Sequence, residues 1–213
     1  MNPTDEGVIW FEESDAENRI LAYLQDELEI STDASFLDVG TGNGHLLFFL
    51  REEGEYEGGR MLGVDYSEAG IELAKQIATQ HGLEDGEVEF AVVDVIRDEV
   101  AQWAGEEGFD VVLDKGTYDA ISLSGELLED GRRLVEGYAE KVASAVKKGG
   151  WFVITSCNWT EDELVARLNG TGGMERKRPY KLRQEIFSLT STLFHHRTEI
   201  LWTHKVSFLS YCD

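Results

Sequence analysis

L-D-V-G-T-G-N-G-H, residues 37–45, runs a short apolar strand straight into three glycines at alternate positions, Gly40, Gly42 and Gly44. A backbone without Cβ atoms can turn sharply there and can lie against a ligand. What the loop means depends on its surroundings, and these alternate strand and helix. Phe36–Val39 reads as a buried strand and Gly44–Arg51 as a helix. Met61–Asp65 is a second strand. Residues 67–81 form a helix with Ile71, Ala74 and Ala78 on one face and Gly82 as the stop. Val88–Val93 and Phe109–Leu113 are the third and fourth strands. The spacing predicts a long helix over 130–147, with Val135, Tyr138, Val142 and Val146 as its stripe and Lys147-Lys148-Gly149-Gly150 as its end. Trp151–Ser156 is the fifth strand.

Two capping boxes frame this block. Ser14-Asp15-Ala16-Glu17 opens a helix with Ile20, Leu21, Leu24 and Leu28 inward, and Thr160-Glu161-Asp162-Glu163 opens a short helix to Leu168. Asn169–Gly173 is a flexible joint. Beyond it, 199–204 and 206–212 are expected to form a final antiparallel pair. Alternating strand and helix predicts an α/β fold, a doubly wound, mostly parallel seven-stranded sheet of Rossmann type with helices on both faces. One domain is expected: a covering segment at 1–30, a core at 31–168 and a divergent segment at 169–213.

In such a sheet, ligands bind at the carboxyl ends of the strands. The glycine loop lies at the first strand's end, and Asp65 closes the second strand 21 residues past Gly44. An acid there accepts both hydroxyls of a ribose, which fits NAD, FAD or S-adenosylmethionine. Spacing separates them. A dinucleotide loop reads G-x-G-x-x-G, its third glycine letting helix pack on strand. This chain reads G-x-G-x-G, with Asp38 just before it. That acid would repel a pyrophosphate. It suits S-adenosylmethionine, which carries a sulfonium and an ammonium. Asp94 ends the third strand, placed for an adenine amino group or for a helix cap. Tyr66 is placed to cover an adenine face. Asp114-Lys115-Gly116-Thr117-Tyr118-Asp119 follows the fourth strand, where carboxylates can orient an amine acceptor; Lys115 and Asp119 read equally well as a local ion pair.

Net charge is −23 over 213 residues. That opposes binding to nucleic-acid phosphates and favours a basic partner. The charge is uneven: residues 1–173 carry 12 basic and 38 acidic side chains, whereas 174–213 carry 7 and 4. No apolar run is long enough to span a membrane. The acidic start, M-N-P-T-D-E-G, does not read as a signal or transit peptide. Cys157 and Cys212 make neither a disulfide framework nor a metal cluster, and adjacent His195 and His196 point apart; no metal is expected. A cytoplasmic monomer is the expectation.

L-D-V-G-T-G-N-G, G-V-D-Y-S, F-D-V-V-L-D-K-G-T-Y-D-A-I and T-S-C-N-W-T, with D-E-G-V-I-W-F-E-E-S at 5–14, resemble the seven-β-strand protein-lysine methyltransferases acting on translation elongation factor 1-alpha. The likeness covers about residues 5–168. It implies a cytoplasmic enzyme using S-adenosylmethionine. It implies cofactor contacts at Asp38, Gly40, Thr41, Gly42, Asn43, Gly44, Asp65, Tyr66, Ser67, Asp94, Val95 and Asp114. On the acceptor side it implies Asp114, Lys115, Thr117, Tyr118 and Asp119, with Ser156, Asn158 and Trp159 lining the far side of a lysine channel. Trp159 reads equally well as core packing. Two departures stand out: only four residues precede D-E-G, and the tail from Arg176 lacks the family's glycine-rich hairpin. A small-molecule methyltransferase and a binding module without turnover are the alternatives on the same fold.

Overall fold

In a computed structural model of the chain, residues 15–84 and 86–168 are described, with the backbone of three more strands at 174–176, 186–190 and 204–210. Ser14, the 5–14 motif, the joint at 169–173, the paired histidines and Cys212 lie outside the described residues. The described chain falls into two compact units that divide after Asp94.

In the first unit, α1 (Ala16–Ala22) continues through a π-helical turn, Tyr23–Glu27, into β1 (Phe36–Val39). Then come α2 (His45–Glu52), β2 (Met61–Asp65), α3 (Glu68–Gln80) and β3 (Glu89–Val92). The three strands are parallel in the order β3-β2-β1, with Phe36 beside Met61 and Leu62 beside Glu89. All four residues of β1 are buried, as expected for a parallel strand covered on both faces. α3 starts on the Ser67 hydroxyl, which accepts from the Gly70 N–H at 3.2 Å. Its inward face is Ile71, Ala74 and Ile77; Ile77 takes the buried place expected of Ala78, because it has more apolar surface to hide. Ser14, the cap of the first capping box, lies outside the described residues, and Glu17 reaches to α2. Its carboxylate lies 2.7 Å from His45 Nδ1 and ties α1 to the first residue of α2.

The second unit holds α4 (Val100–Trp103), β4 (Phe109–Lys115), α5 (Thr117–Leu123), a 3-10 turn at Leu134–Gly137, α6 (Tyr138–Ala145), β5 (Val146–Ser156) and α7 (Glu161–Leu168). β4 and β5 are parallel, Val111 beside Trp151 through Lys115 beside Thr155. The helix expected over 130–147 is shorter. Its stripe is buried as read, but a bridge between Leu127 and Arg133 occupies its start and α6 stops at Ala145. Val146 already has strand geometry, ψ 127°. Lys147–Gly150 therefore forms a bulge in β5, not a helix end: Phe109 pairs with Val146 and Val111 with Trp151. The Lys147 ammonium goes to Asp110 Oδ1 at 2.8 Å instead of to helix carbonyls. Of the second capping box the return half forms: the Thr160 N–H donates to Glu163 Oε2 at 3.0 Å, and the Thr160 hydroxyl donates to the same oxygen at 2.8 Å.

Beyond α7, β6 (Met174–Arg176), β7 (Ile186–Thr190) and β8 (His204–Ser210) add to the strands of the second unit. β8 lies parallel to β5, and its antiparallel partner is β7, not 199–204. Lys205 alone would have had to make the expected turn, and the common hairpin loops need at least two residues. Among the described residues no helix is long and apolar enough to cross a membrane.

Candidate active site

The glycine loop turns off β1 as the sequence predicts, but its three glycines do different work. Gly40 and Thr41 both donate backbone N–H groups to the Val64 carbonyl, at 2.7 and 2.9 Å, which lashes the loop to β2. Gly44, at φ 82°, begins α2, and a Cβ there would come within 2.7 Å of the Phe90 ring and 3.0 Å of Phe48. It serves close helix-to-strand packing. Gly42, at φ 57°, has nothing within 4 Å of where a Cβ would stand. It is the glycine that leaves room.

Asp65 holds this loop from the neighbouring strand. One carboxylate oxygen accepts the Gly42 N–H at 3.0 Å; the other accepts the Ser67 N–H at 2.8 Å. Each oxygen keeps a second lone pair for a ligand. Asn43 Oδ1 accepts the His45 N–H at 3.3 Å and steadies the turn into α2. Asp38 is buried to 3% exposure, in a stretch with no basic side chain from Phe36 to Gly44. Thr41 is buried too, and its hydroxyl has no hydrogen-bond partner. A buried unpaired hydroxyl is costly unless something completes it. A buried acid, an unanswered hydroxyl and open space at Gly42 fit a cationic, phosphate-free ligand such as S-adenosylmethionine. Tyr66 is 81% exposed, its ring available as a flat lid. Asp94 is half-buried and caps no helix, since a turn follows and α4 starts only after Glu99.

In the second unit, Asp114 ends buried at 1% exposure. Its Oδ1 accepts the Thr117 N–H at 2.7 Å and its Oδ2 the Tyr118 N–H at 3.0 Å, so it caps the first turn of α5. The Tyr138 hydroxyl, on α6, donates to the same Oδ2. Burial pushes this acid up to about 7, against the pull of those three donors, while neighbouring Asp119 adds to the rise. Gly116, at φ 88°, makes the turn between strand and helix. Lys115 and Thr117 are half-buried; Val95, at the start of this unit, is buried.

Asp119 is a fastener. Its Oδ1 accepts the Ser156 hydroxyl at 2.5 Å and its Oδ2 the Cys157 N–H at 2.8 Å. Ser156 Oγ in turn accepts the N–H groups of Asn158 and Trp159, at 3.3 and 3.2 Å. A second link runs from Trp159 Nε1 to Ser122 Oγ at 3.1 Å, and from that hydroxyl to the Asp119 carbonyl at 2.8 Å. The D-K-G-T-Y-D-A and S-C-N-W blocks are thus bolted together. Trp159 is half-buried, with the Arg167 guanidinium 4.0 Å over its ring. Tyr118 packs edge-on to Trp159 at 6.3 Å; burial raises its hydroxyl, with Arg167 pulling against that. Asn158 and Cys157 are exposed. Sequence reasoning missed Tyr138, Ser122 and Arg167 as members of this cluster. Tyr138 was visible only as a stripe residue, and nothing in periodicity reveals where a hydroxyl points. Among the described residues no three His, Cys, Asp or Glu side chains are placed to hold a metal.

Parallel strands that end in acids, with a loop shaped for a phosphate-free cation, define the Rossmann-like methyltransferase class. Residues 30–203 match the methyltransferase domain family. The chain is 47% identical over 178 residues to protein-lysine N-methyltransferase efm4 of Schizosaccharomyces pombe, covering 79% of this chain and 72% of that one. It is 37% identical over 161 residues to EEF1A lysine methyltransferase 2 of Homo sapiens, covering 76% of this chain and 62% of that one. Among solved structures, the PH0226 protein from Pyrococcus horikoshii OT3 shares the fold, with a TM-score of 0.52, 20% identity, and coverage of 80% of this chain and 69% of that one. The chain belongs to the protein-lysine N-methyltransferase family, and S-adenosylmethionine is its methyl donor.

Proposed function

We propose that the chain methylates the side-chain amine of a lysine in translation elongation factor 1-alpha. The observation that carries this is the 47% identity to a protein-lysine methyltransferase over a stretch most of the chain long. The name of the human relative supplies the substrate. A strongly acidic protein is suited to a basic partner, which its field steers into place. A cytoplasmic monomer that touches neither nucleic acid nor membrane goes with this reading.

S-adenosylmethionine, when bound, supplies the methyl group as a sulfonium. For that ligand, Asp38 supplies charge of the right sign, Gly40–Gly44 a close backbone and the Thr41 hydroxyl a hydrogen bond. Asp65 has lone pairs left for the ribose, and Tyr66, Ser67, Asp94 and Val95 serve the base. On the acceptor side the reaction needs a neutral lysine nitrogen held in line. Asp114, Lys115, Tyr118, Asp119 and Asn158 are the residues for that task. The buried acids fix the frame, and exposed Asn158 offers its amide to the incoming amine.

The test is methyl transfer from labelled S-adenosylmethionine into purified, unmethylated elongation factor 1-alpha, read by intact mass. Mass should rise in steps of one methyl and stay flat with Asp65→Ala. A flat trace with the parent protein, while calorimetry still shows cofactor binding, would discard this acceptor.

A further inference from the structure

Among the described residues of the second unit, Asp114 is the buried acid that both caps a helix end and meets a tyrosine, and its third donor comes from outside its own motif. Tyr138 is wholly buried, its ring 5.4 Å from Tyr118 and 6.4 Å from Phe152. Packed that way, the ring sends its hydroxyl to Asp114 Oδ2. Tyr118 N–H shares that oxygen at 3.0 Å. We propose that Tyr138 is a positioning residue for methyl transfer, its hydroxyl fixing the Asp114 carboxylate from behind while that acid caps α5.

The physical reason is a competition. Desolvation favours the neutral acid, and hydrogen bonds to the carboxylate favour the charged one. A neutral Asp114 would carry its own proton on one oxygen and lose acceptor capacity just where Thr117 and Tyr118 present N–H groups. Tyr118 and Asp119 on α5 and Tyr138 on α6 are the titratable groups set against it. Asp119 works toward the neutral form. Tyr138 is the largest contribution toward the charged form, ahead of the two backbone donors. Removing its hydroxyl therefore moves the ionisation of Asp114 to higher pH, and the folded frame of α5 with it.

This inference rests on the proposed methyl transfer, and the test separates the two. Tyr138→Phe keeps the ring and drops the hydroxyl. The ratio of variant to parent turnover on elongation factor 1-alpha is measured from pH 6.5 to 9; the ratio cancels the titration of the substrate amine. A displacement of one pH unit gives about a tenfold deficit at pH 6.5 that closes toward unity at pH 9. In parallel, thermal unfolding of both proteins is followed without substrate. An acid whose folded pKa lies above its unfolded value costs stability as pH rises between the two. Pushing the folded value higher prolongs that decline, so the Tm deficit of the variant should widen with pH as its turnover deficit narrows. In an Asp114→Asn background, Tyr138→Phe should produce neither trend. A turnover ratio flat with pH, or a Tm deficit unchanged by pH, overturns the proposal and leaves Tyr138 as packing. A parent without transfer sinks the function but not the coupling, which unfolding still reads.

Discussion

The loop after β1 and the loop after β4 are built to one plan and used in opposite ways. Each leaves a parallel strand, turns through a glycine of positive φ and opens a helix: Gly44 before α2, Gly116 before α5. In the first loop the backbone is held from the next strand by Asp65, and the loop keeps a buried hydroxyl unanswered and open space at Gly42. In the second, the strand's own Asp114 does the holding, and both it and Asp119 are surrounded by protein donors. One loop has polar capacity and space to spare. The other is a frame whose acids are committed to shape. Similar motifs of glycine and aspartate thus differ in function by whether their hydrogen bonds are completed from within.

Substitutions that break each loop sharpen this contrast. The largest effect is expected at Gly44→Val. Its side chain would enter the Phe90 ring from a left-handed backbone, costing about 3–5 kcal/mol from overpacking and strain together. Denaturant unfolding should show the loss. If stability falls by less than 1 kcal/mol, the packing role of Gly44 is wrong.

Asp114→Asn removes a titration. Folded Asp114 ionises near pH 7 against 3.8 in an ordinary setting, so the parent gives up stability as pH climbs through that window. The variant, compared with the parent, should gain on the order of 4 kcal/mol between pH 4 and 8, then level off. A difference independent of pH contradicts the burial argument. Asp119→Ala comes next. It strands the Ser156 hydroxyl and the Cys157 N–H, both in or beside a buried strand end, at about 2–4 kcal/mol. The expected readout is a lower Tm with Trp159 more exposed to a fluorescence quencher.

The loop after β1 should behave otherwise. Gly42→Val and Asp38→Ala are expected to weaken cofactor binding at least tenfold by calorimetry; the space at Gly42 is open, so the stability cost of Gly42→Val is only the strain of its left-handed backbone, about 1–2 kcal/mol, below that of Gly44→Val. Retained affinity in both variants would remove the ligand from this loop. The smallest change is Ser122→Ala, about 1 kcal/mol, for the lost acceptor of Trp159 Nε1. Ser122→Thr should restore most of it.

Much of this was written along the chain. β1 and β2 match their predicted limits, and the inward stripe Val135, Tyr138, Val142 and Val146 is buried, because apolar periodicity reports burial directly. Helix ends were less legible. Lys147–Gly150 carries every sign of a helix stop, yet the helix had ended before it at Ala145 and the residues bulge from a strand instead. Such signals say that a chain turns, not which element it is leaving.

The sequence by itself determined the class of fold, the nature of the ligand and the family. Glycine spacing, acids at strand ends and specific blocks such as D-K-G-T-Y-D-A are local, and local chemistry survives in one dimension. Only the tertiary structure decided which acids keep acceptor capacity to spare and which are fasteners. Asp119 meets Ser156 across 37 positions and Tyr138 meets Asp114 across 24, contacts that exist only once β4, β5 and the helices after them have packed. A hydrogen bond is directional and short, so its partner is chosen by where folding brings two side chains, and no spacing along the chain encodes that distance.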